Sequence, residues 1–341
     1  MSKPKILIIY TGGTIGMIKN RETGSLSSVD FAHVYDHIPE LNRVNAEVSS
    51  VSVQNPKDSS EIGIENWQEI AEIISDNYKP FDGFVVLHGS DTMAYTASAL
   101  SFMLEGLRKP VILTGSQLPI GVIRTDGKEN IITAIEIAAE KRADGAALIQ
   151  EVGVYFDYTL FRGNRCTKDS AENFEAFRSP NLRPLAIAGV SIHYNEEIFW
   201  QTERTDLVLR KDMSDEVLLI KLFPGMRFDF LSKIIEMKNV KGLIIESFGS
   251  GNGPYDELLK SVLKKFDDKG GIILNITQCS SGSVSAGMYA SSNIFKEASV
   301  VTGGDMTTEA AVTKLMYLLA NAPLENVKQL LQESLRGEMT H

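Results

Sequence analysis

The chain has 341 residues, of which 43% are hydrophobic and 23% are charged. This is the composition of an ordinary folded protein rather than a disordered one, and the length allows two domains. The net charge of -10 and the pI near 5.2, with no basic stretch to offset them, argue against binding to nucleic acid or to an anionic membrane surface.

Neither membrane insertion nor export is predicted. No apolar segment approaches the ~20 residues that a transmembrane helix needs. The apolar run ILIIY at 6–10 leads straight into glycines, without a small-residue cleavage site. The two cysteines, Cys166 and Cys279, are too few for a disulfide framework. We therefore expect a cytoplasmic protein in a reducing environment, with no membrane partner.

The histidines are scattered along the sequence, at positions 33, 37, 88, 193 and 341. Only His33 and His37 have helical spacing, and neither an HExxH motif nor a third ligand accompanies them. We therefore expect no metal and no other cofactor.

Strands and helices alternate in the first half of the chain. Apolar, β-rich runs predict strands at 5–10, 47–53, 83–87, 110–114, 146–150 and 153–156. Helices are predicted at 65–78, 92–105 and 126–140. The second of them is expected to be amphipathic, with an apolar stripe at positions 93, 97, 100 and 104. Uninterrupted apolar strands that alternate with helices imply a mainly parallel sheet covered on both faces.

A change of composition divides the chain. Residues 191–215 are polar and poor in long regular elements, which predicts a linker that contains an extended hairpin. Beyond it, strands are predicted at 217–223, 242–247 and 271–277, and helices at 228–238, 255–267, 308–319 and 324–335. The predicted organisation is a larger N-terminal α/β domain (1–190), a linker (191–215) and a smaller C-terminal α/β domain with a parallel sheet (216–341).

Four predicted strands of the first domain end in short loops of glycine and hydroxyl-bearing residues. These loops are TGGT at 11–14, DSSE at 58–61, HGSDT at 88–92 and TGSQ at 114–117. In open α/β sheets, ligands bind outside the carboxyl ends of the strands. The four loops are therefore predicted to converge on one site.

Residues suited to nucleophilic catalysis occur in these loops. A threonine such as Thr14 is a weak nucleophile unless a base removes its proton, and neighbouring glycines leave amide hydrogens bare to bind an oxyanion. The base could be a histidine or a lysine. The stretch RGNRCTK at 162–168 supplies Lys168 among polar neighbours. A lysine serves as a base where its surroundings favour the neutral amine.

The motifs TGGTIG at 11–16 and HGSDTMAYTASALSFML at 88–104, in this order and spacing, resemble the bacterial-type L-asparaginases, specifically their cytosolic type I branch. The similarity continues through DSS at 58–60, TGSQLP at 114–119, RTDGKEN at 124–130, FRGNRCTK at 161–168, FGSGNGP at 248–254, TQCSSG at 277–282 and GGDMTTEA at 303–310. It covers essentially the whole chain.

The resemblance implies a threonine-dependent amidohydrolase that converts L-asparagine to L-aspartate and ammonia. Thr14 corresponds to the family's nucleophile, which forms a β-aspartyl-enzyme that water then hydrolyses. The relay around that nucleophile corresponds to Ser90, Asp91 and Lys168.

The same resemblance implies which residues bind the substrate. Asp91 matches the carboxylate that also binds the α-amino group, which fits recognition of a cation. Ser59 and Ser60 match the residues at the α-carboxylate. The remaining predicted substrate-binding residues are Asp58, Ser90, Ser116 and, reaching a neighbouring subunit's site, Asn252. Relatives form tetramers built from dimers, so a homodimer or homotetramer is expected.

Three positions depart from the family pattern. Ser90 stands where the family usually has threonine; it keeps the hydroxyl, but its rotamer is less fixed. Residues 21–26, on the lid loop, lack the tyrosine that many relatives carry. Glu246 stands where some relatives have an arginine that binds an activating asparagine, so we expect weak or absent activation. The rest of that possible allosteric site is matched by Thr277, Gln278 and Cys279.

Structural roles are the alternative for several of these residues. Thr14 could cap the end of a strand, and Asp91 could be the N-cap of the following helix. Lys168 could be a solvated surface lysine, and Asn252 a turn residue. Cys279 is expected to be a buried small side chain rather than a reactive thiol.

Other functions stay open from the residues alone. GGTIG could be the phosphate-binding turn of a dinucleotide-binding oxidoreductase, but its spacing is not G-x-G-x-x-G. A non-catalytic amino-acid sensor is a second alternative. A glutaminase-asparaginase is a third, since one methylene discriminates by only ~1–3 kcal/mol. The tRNA-dependent amidotransferase subunit of this fold carries a module before its first motif, which is not expected here because the motif begins at residue 11.

Overall fold

The computed structural model describes residues 3–19, 26–28, 38–236, 240–285 and 293–340. The chain divides into two compact units, Met1–Lys211 and Asp212–His341. The first contains a mixed sheet of eight strands, and the second a parallel sheet of four. The predicted fold class of two α/β domains, the larger one N-terminal, is confirmed. The predicted bounds 1–190, 191–215 and 216–341 stay a prediction.

Among the described residues, the first unit combines short and long strands with three helices. The strands are β1 (Lys5–Gly12), β2 (Met17–Lys19), β3 (Leu26–Ser28), β4 (Glu47–Lys57), β5 (Gly83–Leu87), β6 (Leu104–Glu105), β7 (Val111–Thr114), β8 (Val152–Phe156), β9 (Thr159–Arg162), β10 (Thr167–Lys168), β11 (Phe177–Arg178), β12 (Ala186–Ala188), β13 (Ile192–Tyr194) and β14 (Val208–Leu209). The helices are α1 (Ile64–Asp76), α2 (Met93–Met103) and α3 (Gly127–Ala139). The large sheet has the order β13-β12-β9-β8-β7-β5-β1-β4.

Continuous apolar runs form the middle of this sheet. Every residue of β5 and β7 is buried, and in β1 only Lys5 is exposed. Strands β4, β1, β5, β7 and β8 run parallel, whereas β9, β12 and β13 pair antiparallel. Parallel strands covered on both faces need no alternation of apolar and polar residues. Because β1, β4, β5 and β7 are parallel, the loops that follow them lie at one edge.

Helix α2 is buried on every side, contrary to the predicted amphipathic pattern. All of its residues except Tyr95 are buried. Its hydroxyl groups are tolerated there because they are hydrogen-bonded; Ser101 Oγ, for example, donates to the carbonyl of Ala97 at 2.8 Å. The apolar stripe therefore marks only part of a fully buried surface.

The predicted strand at 146–150 is wrong. This segment follows a turn at Gly145, whose φ is +87°, and among the described residues its pairing is an isolated bridge between Lys141 and Ala147. Leu148 and Ile149 are nevertheless buried in the core. A short apolar run has the same composition whether it enters the core as a strand or as a loop, so periodicity could not separate the two.

The polar segment predicted as a linker is bonded to the first unit over much of its length. Strand β13 pairs antiparallel with β12, and β14 pairs antiparallel with β6 at the end of α2. The carboxylate of Glu151 accepts the amide of Trp200 at 2.8 Å, and Arg162 Nη2 donates to the carbonyl of Ile198 at 2.5 Å. The segment up to Lys211 is accordingly part of the first compact unit.

The second unit repeats the alternation of strands and helices around a smaller sheet. Its described strands are β15 (Val217–Lys221), β16 (Gly242–Ser247), β17 (Ile272–Thr277) and β18 (Val301–Thr302), all parallel and in that order. Its described helices are α4 (Asp229–Glu236), α5 (Glu257–Asp268), α6 (Asn293–Glu297), α7 (Thr308–Asn321) and α8 (Leu324–Gln332). Residues 237 and 238 of the helix predicted at 228–238 lie outside the described residues. No helix in the described part of either unit is long and apolar enough to cross a bilayer.

A buried ion pair fastens the segment after α8 to the second unit. The side chains of Lys314 on α7 and Glu338 are both fully buried, and Lys314 Nζ lies 2.6 Å from Glu338 Oε1. Burial lowers the pKa of the Lys314 ammonium group. Further along, Thr340 donates its amide and hydroxyl hydrogens to the carboxylate of Asp305, at 2.8 and 2.6 Å. Residues 338–340 thus complete the packing of this unit.

Candidate active site

Close backbone contacts at glycines bring three of the four predicted loops together. Gly13 has a φ of +83°, and a Cβ atom built on it would lie 2.4 Å from the amide nitrogen of Gly89. Gly12 has a φ of +111°, and its Cβ would lie 2.1 Å from the carbonyl oxygen of Lys57, the last residue of β4. Any side chain at these positions would collide with backbone, and a positive φ also favours glycine. The loop after β1 can therefore lie directly against the loops after β4 and β5.

The remaining contacts join the loops after β4 and β7 to the loop after β5. A Cβ atom on Gly89 would lie 2.5 Å from Ser59 Oγ, and one on Gly115 would lie 2.2 Å from the carbonyl oxygen of His88. The hydroxyl of Thr92 donates to the carbonyl of Ser59 at 2.6 Å. All four loops meet at the carboxyl edge of the large sheet.

Thr14 begins a 3₁₀ turn, Thr14–Gly16, immediately after the two glycines. Its side chain is partly buried, whereas Ile15 and Gly16 are buried. The amide of Gly16 donates to the carbonyl of Gly13 at 3.2 Å, which closes the turn. The hydroxyl of Thr14 is thus carried by a short, tightly wound segment that starts from the contact with Gly89.

Lys168, Ser90 and Asp91 form a hydrogen-bonded cluster. Lys168 Nζ lies 2.9 Å from Ser90 Oγ and 2.5 Å from Asp91 Oδ1. Only 16% of the Lys168 side chain is exposed, against 62% of the Asp91 side chain. Lys168 is therefore withdrawn from solvent. Asp91 is not the N-cap of α2, because Thr92 occupies that position.

Gln117 is a member of the cluster that sequence reasoning missed. Its Oε1 accepts the hydroxyl of Ser90 at 2.9 Å, and its Nε2 donates to the carbonyl of Asn173 at 3.0 Å. In the TGSQ loop, the sequence motifs predict a role for Ser116 alone. The signal was the amide side chain itself, because an amide can accept from one hydroxyl and donate to another group at once.

Asp58 and Ser60 are arranged around each other. The carboxylate of Asp58 accepts both the amide and the hydroxyl of Ser60, at 2.9 and 2.7 Å. These hydrogen bonds from Ser60 hold the pKa of Asp58 below its ordinary value. Asp58 and Ser60 are exposed, whereas Ser59 between them is buried and adjoins Gly89. The loop thus presents two polar side chains outward on a buried support.

Ser116 is buried, and its hydroxyl donates to the carbonyl of Leu118 at 2.6 Å. That bond shapes the loop after β7 and engages the hydroxyl predicted to bind substrate. Ser116 lies next to Gln117, so the loop reaches the cluster of Lys168, Ser90 and Asp91 through its neighbour.

His88, the other potential base at this edge, is buried, and both of its ring nitrogens are hydrogen-bonded. Its side chain is fully buried; Nδ1 lies 2.7 Å from the carbonyl oxygen of Gly89 and Nε2 lies 2.9 Å from Thr96 Oγ1. Burial lowers the pKa of His88 to about 4. In the neutral ring Nδ1 carries the proton, because its partner can only accept. Nε2 then accepts from Thr96, whose oxygen in turn accepts Trp67 Nε1 at 3.0 Å. Lys168, rather than His88, contacts Ser90.

The residues of the possible allosteric site lie in the second unit. Glu246 is buried, and Thr308 Oγ1 donates to its Oε1 at 2.6 Å, while Lys221 Nζ lies 3.4 Å from its Oε2. Gln278 Nε2 donates to the carbonyls of Leu222 and Glu246 at 2.6 and 2.7 Å. Thr277 Oγ1 donates to the carbonyl of Gly249 at 2.6 Å. These side chains are engaged in bonds within their own unit.

Two further predicted residues belong to the same unit. Cys279 is exposed, so the expectation of a buried small side chain is wrong; it follows the end of β17, where the chain leaves the core. Asn252 exchanges backbone hydrogen bonds with Phe248, with its amide donating at 2.8 Å and its carbonyl accepting at 2.9 Å. Asn252 therefore closes a turn.

Some predictions fall outside the described residues. These are the lid-loop stretch 21–25, the pair His33 and His37, and His341. Among the residues that are described, no group of three or more His, Cys, Asp or Glu side chains is placed to hold a metal ion.

Two family models match the chain. The model described as "Asparaginase, N-terminal" matches residues 5–200, and that described as "Glutaminase/Asparaginase C-terminal domain" matches residues 216–331. Together they span both compact units.

Individual proteins are similar over their full length. L-asparaginase 1 of Escherichia coli (strain K12) is 40% identical over 342 residues, which cover 100% of this chain and 99% of that protein. The crystal structure of L-asparaginase I from Vibrio cholerae O1 biovar eltor str. N16961 is 39% identical, with a TM-score of 0.90 over 99% of this chain and 100% of that one. The thermostable L-asparaginase from Thermococcus kodakarensis is 29% identical, with a TM-score of 0.87 over 99% of each chain.

Proposed function

Because the chain belongs to the asparaginase family, we propose that it is an L-asparaginase, which hydrolyses the side-chain amide of L-asparagine to L-aspartate and ammonia. The observation that carries this proposal is the cluster in which Lys168 Nζ lies 2.9 Å from Ser90 Oγ and 2.5 Å from Asp91 Oδ1. It adjoins the glycine contact that precedes Thr14. A nucleophile, a possible base and a carboxylate thus share one sheet edge.

In the proposed reaction, Thr14 Oγ attacks the carbon of the substrate's side-chain amide. The proton of that hydroxyl passes to the amine form of Lys168, whose Nζ is held by a hydrogen bond to Ser90 Oγ at 2.9 Å. Collapse of the tetrahedral intermediate breaks the C–N bond, and the nitrogen takes the proton held by Lys168 and leaves as ammonia. Water then attacks the β-aspartyl ester on Thr14 and releases aspartate. Backbone amides beside Gly12 and Gly13 suit stabilisation of the oxyanion.

Substrate recognition is proposed to use charge. The Asp91 carboxylate is largely exposed, and after binding Lys168 through Oδ1 it can accept the α-ammonium group of asparagine as well. Ser60 and the buried Ser59 are proposed to bind the α-carboxylate end, with Asp58 beside them. Asp58 and Ser60 are exposed on this loop, and Ser59 lies buried against Gly89.

The assembly and setting follow the family expectation. We propose a homodimer or homotetramer in which Asn252 of one subunit reaches the site of another, a cytoplasmic location, and no cofactor. We also propose that asparagine does not activate the enzyme, because the Glu246 carboxylate is bonded to Thr308 and lies near Lys221. A second carboxylate at that point would meet repulsion.

The proposal is tested by ammonia release from L-asparagine and from L-glutamine over a wide concentration range. Thr14→Ala should abolish turnover while binding of L-aspartate, measured by calorimetry, is retained. The matched control is Thr11→Val in the same loop, since the Thr11 side chain is buried and its hydroxyl donates to the carbonyl of Leu87 at 2.9 Å. That variant should be less stable by about 1 kcal/mol and still turn over.

Three outcomes separate the alternatives. No ammonia from either amide would overturn the hydrolase and favour a sensor. Comparable rates on both amides would favour the glutaminase-asparaginase, because an asparagine-selective pocket should prefer its substrate by roughly 10- to 200-fold. A sigmoidal asparagine curve would overturn the absence of activation, and Glu246→Arg is expected to introduce one.

A further inference from the structure

The hydrogen-bond direction at Ser90 follows from its neighbours. Gln117 Nε2 lies 3.0 Å from the carbonyl oxygen of Asn173, so the nitrogen of the amide must face Asn173 and its oxygen must face Ser90. Oε1 can only accept, and the Ser90 hydroxyl therefore donates its proton to Gln117. Lys168 Nζ, 2.9 Å away on another side, donates to the same hydroxyl oxygen.

This direction matters because Ser90 is a serine. A threonine would have its χ1 rotamer restricted by the β-methyl group, and a serine lacks that restraint. The bond to Gln117 supplies a restraint from outside the residue. It also commits the Ser90 proton to Gln117 and leaves the oxygen lone pairs to accept from Lys168.

Gln117 is itself held by a carboxylate from the next element. Its amide nitrogen lies 2.9 and 3.1 Å from the two carboxylate oxygens of Asp126, and the amide of Leu118 lies 3.1 Å from Oδ1. Asp126 immediately precedes α3, yet its side chain makes no capping bond to that helix. The carboxylate is directed at the loop after β7 instead.

Asn130 braces the same carboxylate from the first turns of α3. Its Nδ2 donates to Asp126 Oδ2 at 3.3 Å and to the carbonyl of Gly115 at 3.0 Å, and the side chain is buried. Asp126 is thus bound on one side to two consecutive loop amides and on the other to a buried amide side chain. Bonds to an ionised carboxylate are about twice as strong as neutral ones.

We propose that Asp126 is a positioning residue for catalysis, which acts through Gln117 to hold the hydroxyl of Ser90 in one orientation. The inference rests on the proposed amidase function. Its chain of contacts runs from Asp126 to the backbone of Gln117, and from the side chain of Gln117 to Ser90 and Lys168. Asp126 contacts neither Ser90 nor Lys168 in this chain, so it acts by placement alone.

The test compares Asp126→Ala, Gln117→Leu and the double variant by steady-state kinetics on L-asparagine. Each single variant should lower kcat by about 10- to 100-fold, as expected for a misplaced catalytic group. KM should change far less than kcat. The double variant should be no slower than Gln117→Leu alone, because both substitutions remove the same restraint.

The matched control is Asp256→Ala at the start of α5 in the second unit. Asp256 is also an aspartate before a helix and accepts the amide of Leu259 at 2.9 Å, but it belongs to a purely structural cap. This variant should lose stability without the drop in kcat. Equal drops in kcat for Asp126→Ala and Asp256→Ala, or multiplicative losses in the double variant, would overturn the inference.

A crystal structure of Asp126→Ala separates this inference from the proposed function. The Ser90 Oγ to Gln117 Oε1 distance should increase beyond hydrogen-bonding range or become heterogeneous. If wild type released no ammonia, the proposed function would fail, and the structure alone would decide the positioning role. An unchanged Ser90–Gln117 bond in the variant would then overturn it.

Discussion

Both units end parallel strands in polar loops, but they use the polar side chains differently. At the carboxyl edge of the large sheet, glycines at 12, 13 and 89 let the loops approach closely, against the backbone of Lys57 and Gly89 and the side chain of Ser59. In the second unit, the loops after β16 and β17 are held by side chains, such as Gln278 bonded to the carbonyls of Leu222 and Glu246. Thr92 and Ser116 of the first unit also donate to carbonyls within the loops, but the Asp91 carboxylate there stays largely exposed.

The comparison teaches where chemistry can occur in a repeated architecture. In such an architecture, a sheet edge can present reactive side chains where contacts between backbone segments, rather than side-chain hydrogen bonds, hold the loops in place. Glycine makes this possible, since it allows loops to touch without intervening side chains.

The largest effect is expected from Lys168→Met. Activity on L-asparagine should fall by about 10²- to 10⁴-fold, because the variant removes the group proposed to transfer protons. The free energy of unfolding should change by less than about 1 kcal/mol, since the paired Asp91 carboxylate is largely exposed and returns to water. Both tryptophans, Trp67 and Trp200, lie in the first unit, so their fluorescence during urea unfolding reports on that unit alone.

Lys109→Met is the matched control for Lys168→Met. Lys109 Nζ donates to the carbonyls of Tyr78 and Phe81 at 2.5 and 2.6 Å and lies over the Tyr78 ring. No catalytic role is proposed for it. This variant should lose about 1–3 kcal/mol of stability and keep its kcat. The contrast fails if the two lysine variants lose stability and activity in the same proportion.

A smaller effect is expected from protonation of His88. Its pKa is about 4 in the folded protein and near 6.5 as an ordinary histidine, so the unfolded chain binds more protons between these values. Stability is therefore fully present above pH 6.5 and is lost as the pH falls toward 4, by about 3 kcal/mol. The measurement is urea unfolding of the first unit at pH 7, 5 and 4.

Two histidine variants isolate this contribution. His88→Asn removes the titrating ring and keeps a donor near the carbonyl of Gly89, so stability should fall less steeply between pH 6.5 and 4. His193→Gln, at an exposed position, should leave the wild-type slope unchanged. An unaltered slope in His88→Asn would show that other groups cause the acid sensitivity.

The smallest and most local effect is expected from Gln278→Leu. The substitution leaves the carbonyl of Leu222 without its side-chain donor and should destabilise the loop after β17 by about 1–3 kcal/mol. Hydrogen exchange measured by mass spectrometry should quicken in peptides around Leu222 and Glu246 and stay unchanged in the first unit. Unchanged exchange in the second unit would show that the Gln278 side chain does not stabilise this loop.

The sequence predicted elements best where one physical cause dominates. The strands that became β1, β5 and β7 were located to within about two residues, because fully buried parallel strands need continuous apolar runs. The strand predicted at 146–150 is wrong because a buried segment paired only through an isolated bridge among the described residues has the same apolar composition as a strand. The apolar stripe of α2 did not predict that the helix is buried on all sides. Its polar residues are also buried, because their hydroxyl groups are hydrogen-bonded inside the protein.

The candidate site was predicted from motifs, and its supporting residues were not. Glycine-rich loops at strand ends indicated that the site residues would gather at one edge. The sequence did not predict roles for Gln117 and Asp126, because their hydrogen-bond partners depend on the tertiary structure. Ser90, for instance, is 27 positions from Gln117. Ordinary polar residues acquire a specific role only when folding supplies a partner.

The buried pair of Lys314 and Glu338 has a consequence for the order in which the protein is made. Until Glu338 emerges from the ribosome, Lys314 lacks the counter-ion that compensates its burial, and Asp305 lacks Thr340. The first unit has all its strands by Lys211 and can fold while the second is still being synthesised. Chaperones that bind the nascent chain would therefore encounter a folded first unit and a second unit that is not yet fully folded.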